Sequence, residues 1–159
     1  MKKLFYLKLI YLTIMLFFIF TSTIAQSELK MEDPLYQQGK ILERDFKVIY
    51  QYFSEEENGR MVFNRGYLYE KNYSDKNKYI SEYELLKEGL VKEYGKPILH
   101  KQEWKDDGYK GMKALWGHAI SKDKLIFLST WKIENTEIEL SLYGKDYRIY
   151  LEIHTKTKE

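Results

Sequence analysis

Glu137, Glu139, Glu152 and His154 lie in two neighbouring runs, TEIELSL and YRIYLEIHT, and strand geometry would bring the four onto one surface. Carboxylates held face to face repel one another and split their proton affinities. Acid–base pairs and oxygen-rich metal sites are built that way. The chemistry such a cluster would support is hydrolysis or a metal-dependent reaction. A plainer account is a solvated sheet face on which Lys132, beside Glu137, eases the repulsion. No catalytic residue is assigned on this reading, and an enzyme using Glu137, Glu139, Glu152 and His154 is kept as the alternative.

Other groups that could do chemistry are more scattered. His100, Glu103 and Asp106, or His118 with any of these, match no compact metal-ligand spacing, so neither a metal nor a cofactor is expected. The sequence lacks G-x-S-x-G, H-E-x-x-H and a glycine-rich phosphate loop. It also lacks cysteine, which excludes disulfides, thiolate metal sites and a cysteine nucleophile. Tryptophans can stack on sugar rings. Trp116 and Trp131 fall on apolar faces and are read as core, leaving Trp104, beside Asp106 and Asp107, as the exposed candidate.

The stretch that must position these residues is Leu125–Thr155. It reads as three strands, LIFLSTWKI, TEIELSLY and YRIYLEIHT, each alternating apolar and polar residues. Treating Glu134-Asn135 and Lys145-Asp146 as two-residue hairpin loops fixes a register. Ile133 then faces Thr136, and Gly144 faces Tyr147. Trp131, Ile138 and Ile153 fall in one apolar row, followed by Ser129, Leu140, Leu151 and by Phe127, Leu142, Ile149. The opposite face carries Lys132, Glu137, His154, then Thr130, Glu139, Glu152, then Leu128, Ser141, Tyr150, then Ile126, Tyr143, Arg148. Glu139 and Glu152 would be directly opposed. Ile126, Leu128, Tyr143 and Tyr150 would form a patch that a solvated face does not need. Another part of the chain, the hairpin or the helix expected over 112–120, would cover it, or else a partner or ligand would.

Upstream, Ser81 and Glu84 have the spacing of a capping box, and Ile80 and Leu85 that of a hydrophobic staple, for a helix over 82–94. Tyr83, Leu86, Leu90 and Tyr94 make its apolar stripe, Gly95 its left-handed stop and Pro97 a bar to resumption. FKVIYQYF and RMVFNRGYLYEKNY flank Asn58-Gly59 and predict a hairpin over 46–54 and 60–71, with one helix continuing through residue 53 as the competing reading. A strand is expected over 98–104. Met112, Leu115, Trp116, Ala119 and Ile120 predict a short helix over 112–120. The run YISEYELLKEGLVKEYGKP, Trp104, ALWGHAI, Trp131 and the C-terminal strands together resemble a pattern in small bacterial proteins of unassigned function. Those have a hairpin, a helix ended by YGxP and a tryptophan-containing antiparallel meander. The resemblance spans about Phe46–Thr155 and implies fold and bacterial origin; it brings no catalytic or binding residues with it.

The first 25 residues have the make-up of a secretory signal: Lys2 and Lys3, an apolar run from Leu9 to Phe20, and Thr23-Ile24-Ala25 before a cleavage point at Gln26. Lys8 keeps the apolar run short of the roughly 18–20 residues that cross a bilayer. An uncleaved leader holding an envelope structural protein is the lesser alternative. Removing 25 of 159 residues leaves 134, enough for one domain. Taking Lys2, Lys3 and Lys8 from the 26 cationic residues leaves 23 against 24 acids, so no nucleic-acid partner is expected. No membrane contact is expected after cleavage. Residues 26–45 read as a loose lead-in or a short helix, the latter from Asp33-Pro34 through Leu42, 46–155 as one α+β domain, and 156–159 as a tail. The function expected is a secreted or periplasmic, non-catalytic binding module for a protein or small ligand, with Ile126, Leu128, Tyr143, Tyr150 and Trp104 as its candidate contacts.

Overall fold

The computed structural model describes residues 40–56 and 59–158. Seven antiparallel strands form one curled sheet: β1 (Lys40–Ile41), β2 (Arg44–Glu55), β3 (Met61–Tyr69), β4 (Leu99–Trp104), β5 (Leu125–Ile133), β6 (Thr136–Lys145) and β7 (Arg148–Lys158). Their order across the sheet is β1-β2-β3-β7-β6-β5-β4. The α+β class, the N-terminal hairpin and the C-terminal meander are as the alternation implies. The single-helix reading through residue 53 is not adopted, because branched and aromatic residues keep 44–55 extended. The leader, the lead-in before Lys40 and Asn58 lie outside the described residues. Lys40–Ile41 is strand rather than the end of a helix, and Leu42 and Glu43 turn tightly with φ of 49° and 63°. Residues 156–158 are not a tail, since Lys156, Thr157 and Lys158 pair with Asn64, Phe63 and Val62.

One face of the sheet carries both helices, α1 (Lys78–Tyr94) and α2 (Trp116–Ser121). Tyr83, Leu86 and Leu90 are buried there with Trp131, Ile138, Leu140, Leu142, Leu151 and Ile153. Burial of these side chains is the main stabilising term. Gly95 ends α1 at φ 80°, its N–H donating to Val91 at 2.9 Å, and its carbonyl accepts the Trp131 Nε1–H at 2.9 Å. The capping box does not form. α1 begins at Lys78, which puts Ser81 inside the helix, while Glu84 pairs with Lys87 and Leu85 is exposed. Asn77 precedes α1, but its side chain is used between helices: it accepts the Gly117 N–H at 2.7 Å and donates to the Ala114 carbonyl at 2.8 Å. The expected 112–120 helix is a 3-10 turn over Lys113–Leu115 followed by the six residues of α2. Met112 and Leu115 stay exposed, and only Ala119 and Ile120 of the stripe are fully buried.

The β6–β7 reversal is Asp146-Tyr147, with φ of 51° and 63°, rather than Lys145-Asp146. Lys145 therefore pairs with Arg148 and Gly144 with Ile149. Relative to the expected register β7 is displaced by two residues. Two is one full side-chain repeat, so every residue keeps its face and only its partner changes. Leu140 now faces Ile153 and Leu142 faces Leu151, while the β5–β6 pairs Trp131–Ile138 and Ser129–Leu140 stand as expected.

Close packing of α2 on β6 depends on Gly144. A Cβ there would overlap the Ile120 carbonyl, a backbone group that cannot swing away. Gly144→Ala is expected to cost about 2–3 kcal/mol through overpacking, read as a lowered urea midpoint with an unchanged slope.

Candidate functional site

On the sheet face turned away from the helices, four polar side chains join in series. Tyr50 Oη lies 2.5 Å from Nδ1 of His154, and Nε2 of His154 lies 3.0 Å from Oε2 of Glu152. The Tyr143 hydroxyl donates to that same oxygen at 3.0 Å. Glu152 Oε2 is the shared acceptor of the Tyr143 hydroxyl and the His154 Nε2–H, and the other ring nitrogen, Nδ1, is bonded to the Tyr50 hydroxyl. Glu152 is buried, and the other three are half-buried.

Two local devices bring Tyr50 to His154. The β2–β3 pairing slips between Val48 and Tyr50, and this bulge moves Tyr50 to the face opposite Phe46 and Val48. β3 still separates β2 from β7. The residue opposite both Tyr50 and His154 is Gly66, and a Cβ there would fall on the Tyr50 ring. Lacking one, Gly66 lets the ring lie across β3 and reach the imidazole. Burial, first, and then the nearby Tyr52, Glu152 and Glu139 hold the Tyr50 hydroxyl above the usual phenol range. Burial and Glu152 push the Tyr143 hydroxyl up in the same way.

The four residues singled out for acid–base chemistry are thus only partly assembled. Glu152 and His154 touch, but Glu139 faces His154 across the strands and Glu152 faces Ser141, so the opposed carboxylates are not formed. Glu137 lies between Lys132 and Lys156. Among the described residues no three His, Asp or Glu side chains gather as a metal would require. His100 bonds Ser129 at 2.9 Å, Glu103 pairs with Lys101, Asp106 caps Gly108, and His118 lies against Tyr109. Trp104 is not an open platform. It is half-buried, with its ring edge-on to Trp116 at 5.6 Å on the helix side.

Of the expected patch, Ile126 and Leu128 are half-buried on the face away from the helices. Neither helix covers them, and the hairpin extends the sheet beyond β7. Tyr143 faces Tyr150, and their rings stack at 5.4 Å with 16° between planes. Beyond Tyr150 opens a cleft of about 550 Å³. Its walls are the end of β3 with the segment that follows, and the start of β7.

Hydrogen bonds fix the aromatic wall of this cleft. Tyr73 donates to Glu82 Oε1 at 2.8 Å, Arg44 Nε donates to Oε2 at 2.8 Å, and the Tyr69 and Tyr73 hydroxyls lie 3.1 Å apart. Tyr79 donates to the Asn72 side chain at 3.3 Å and meets the Tyr73 ring edge-on. Burial works to raise the Glu82 pKa, but the bonds from Arg44 and Tyr73 outweigh it and hold the carboxyl below the usual range. Except for Tyr150, sequence reasoning passed over the cleft. The run YEKNYSDKNKY has no periodicity, and its one signal is the density of tyrosine and lysine. No protein-family model, curated protein or solved structure matches the chain.

Tyr50 and Tyr143 keep their protons in the folded chain at a pH where an unfolded chain, with phenols near 10.0, loses them. Their contribution to stability is therefore complete below about pH 10 and falls as pH rises through the raised folded values. Tyr143→Phe is expected to make that alkaline decline shallower. At neutral pH it should cost about 1–3 kcal/mol by leaving buried Glu152 one donor short. Denaturant titrations at several pH values, with phenolate absorbance followed in parallel, check both.

Proposed function

We propose that this protein is an exported bacterial binding module without catalytic activity, and that its ligand occupies the cleft beside Tyr150. The observation that carries this reading is Tyr147. It holds φ at 63°, a conformation costly for a bulky L-residue, and the residue is 74% exposed where it lines the cleft. Asn-Gly would make the same reversal with less strain. A strained residue whose side chain packs on little of its own chain is placed for something outside it. On the wall opposite, half-buried Tyr73 is held in place by buried Tyr69 and Tyr79, a preorganised surface that lowers the ordering cost of binding.

The second reading is acid–base catalysis at His154, and the series Tyr50–His154–Glu152 favours it by having the order hydroxyl, imidazole, carboxylate. That chemistry needs Tyr50 to surrender its proton, whereas burial and the surrounding acids oppose this. Neither His154 nor Glu152 lines the cleft. The geometry therefore favours binding.

Tyr147→Gly is expected to raise stability by about 1 kcal/mol, by relieving the left-handed strain, while abolishing ligand shifts. The measurement is amide chemical-shift mapping of the isotope-labelled protein against a small-molecule fragment mixture. Shifts confined to residues 69–79 and 147–150, lost in Tyr147→Gly, support the reading. Shifts centred on His154 instead would move the site to the polar series. Export is checked separately by N-terminal sequencing of the secreted product, which should begin at Gln26.

A further inference from the structure

Charge is distributed unevenly around the cleft. Lys47, Lys71, Lys76 and Arg148 line it, with Glu70 as the single acid. The whole chain, by contrast, carries a net charge of only +2. None of the four cations is in an ion pair among the described residues. Lys76 donates to Ser121 Oγ at 2.8 Å, a neutral acceptor that leaves its charge uncompensated. Elsewhere on the surface lysines find acids readily: Lys105 takes Asp123, Lys124 takes Asp106, and Lys156 and Lys158 share Glu56. Cations gathered in a concave site without counter-charges raise the local potential and draw in anions.

The aromatic component is equally specific. Tyr147 and Tyr150 flank Arg148 in sequence, while half-buried Tyr73 stands two residues from exposed Lys71 on the facing wall. Rings and cations thus occur on both sides of the same opening. Guanidinium and ammonium groups recognise phosphate and carboxylate oxygens, and tyrosine faces stack on the flat face of a ring. A volume of about 550 Å³ is in the range of small-ligand pockets and takes one or two sugar units.

Resting on the binding reading above, we infer that the cleft takes an acidic saccharide, a sugar ring bearing a phosphate or carboxylate group. The ring stacks between the Tyr147–Tyr150 side and Tyr73, and the anionic group is held by Arg148 and Lys71, with Lys47 and Lys76 supplying field. The polar series Tyr50–His154–Glu152–Tyr143 supports the site from behind by fixing Tyr143, on which Tyr150 stacks.

Four probes separate charge from ring: glucose phosphate, glucuronate, glucose and inorganic phosphate, each titrated into the full isotope-labelled protein. Glucose phosphate or glucuronate should move the amide signals of 69–79 and 147–150, the tighter of the two naming the acidic group. Glucose and inorganic phosphate should bind at least about tenfold more weakly. Added salt should weaken the charged probes. Arg148→Gln and Lys71→Gln should each cost about tenfold in affinity with unchanged thermal midpoints, since both side chains are exposed, and Lys132→Gln, at the far end of the sheet, should cost nothing. Glucose binding as tightly as its charged relatives overturns the anionic assignment and leaves the binding reading standing. Inorganic phosphate binding as tightly as glucose phosphate overturns the saccharide. Silence from all four probes, with fragment shifts still present in the cleft, overturns the inference alone; silence in both experiments removes the binding reading with it.

Discussion

The reversal at Asp146-Tyr147 is the constraint on which the arrangement of side chains depends. Two successive residues adopt left-handed backbone there, at about 1–2 kcal/mol each, and the twist this imparts suits the strands on either side. Burial of Leu140, Leu142, Leu151 and Ile153 in the matching rows offsets that cost. Moved along by one residue, the pairing would turn Leu151 and Ile153 to the wet side and Glu152 to the core. Moved by two, it would keep both faces apolar and polar as they are, yet part Tyr143 from Tyr150. Burial thus selects the face, and the turn selects the neighbour.

This division explains what could be read from the amino acids alone. Alternation in LIFLSTWKI and YRIYLEIHT identifies the faces because a wrong face would bury charge, a penalty large enough to leave a mark in composition. The choice between Lys145-Asp146 and Asp146-Tyr147 leaves no such mark. Neither pair contains the glycine or asparagine that usually betrays a tight turn, and tyrosine is among the last residues expected there. The carboxylates accordingly lie on the expected face but beside different partners. Ser81 and Glu84 show a different limit. Their spacing fits a cap, but Asn77 four residues earlier gains two bonds to the chain around α2, and long-range contacts of that kind are invisible to local pattern. The cleft was hidden more deeply still. Its walls come from segments some seventy residues apart, and one of them, Tyr69–Tyr79, follows no helical or strand repeat.

The two polar features on the exposed side are related through the Tyr143–Tyr150 stack. Behind that stack a bulge, a glycine and a histidine hold a hydroxyl network in one geometry. In front of it a ring stands at the mouth of the cleft. A side chain at position 66 would displace Tyr50, free the His154 ring, and loosen the support of Tyr143 through Glu152. Gly66 is far from the cleft in the contact sense and close to it in the mechanical sense. Glu82 does the same for the other wall, since one carboxylate holds both Arg44 and Tyr73.

The position of β7 has a bearing on how the chain reaches this state. Residues 148–158 form the middle strand, between a hairpin translated about a hundred residues earlier and the strand translated immediately before. Until residues 148–158 are in place, β3 has an open edge and α1 has only part of a surface to lie on. Sheets closed by such distant pairings form late and slowly. The hairpin and the β4–β6 strands consequently have no pairing with one another until β7 is inserted between them, so the sheet closes through its middle and not at an edge.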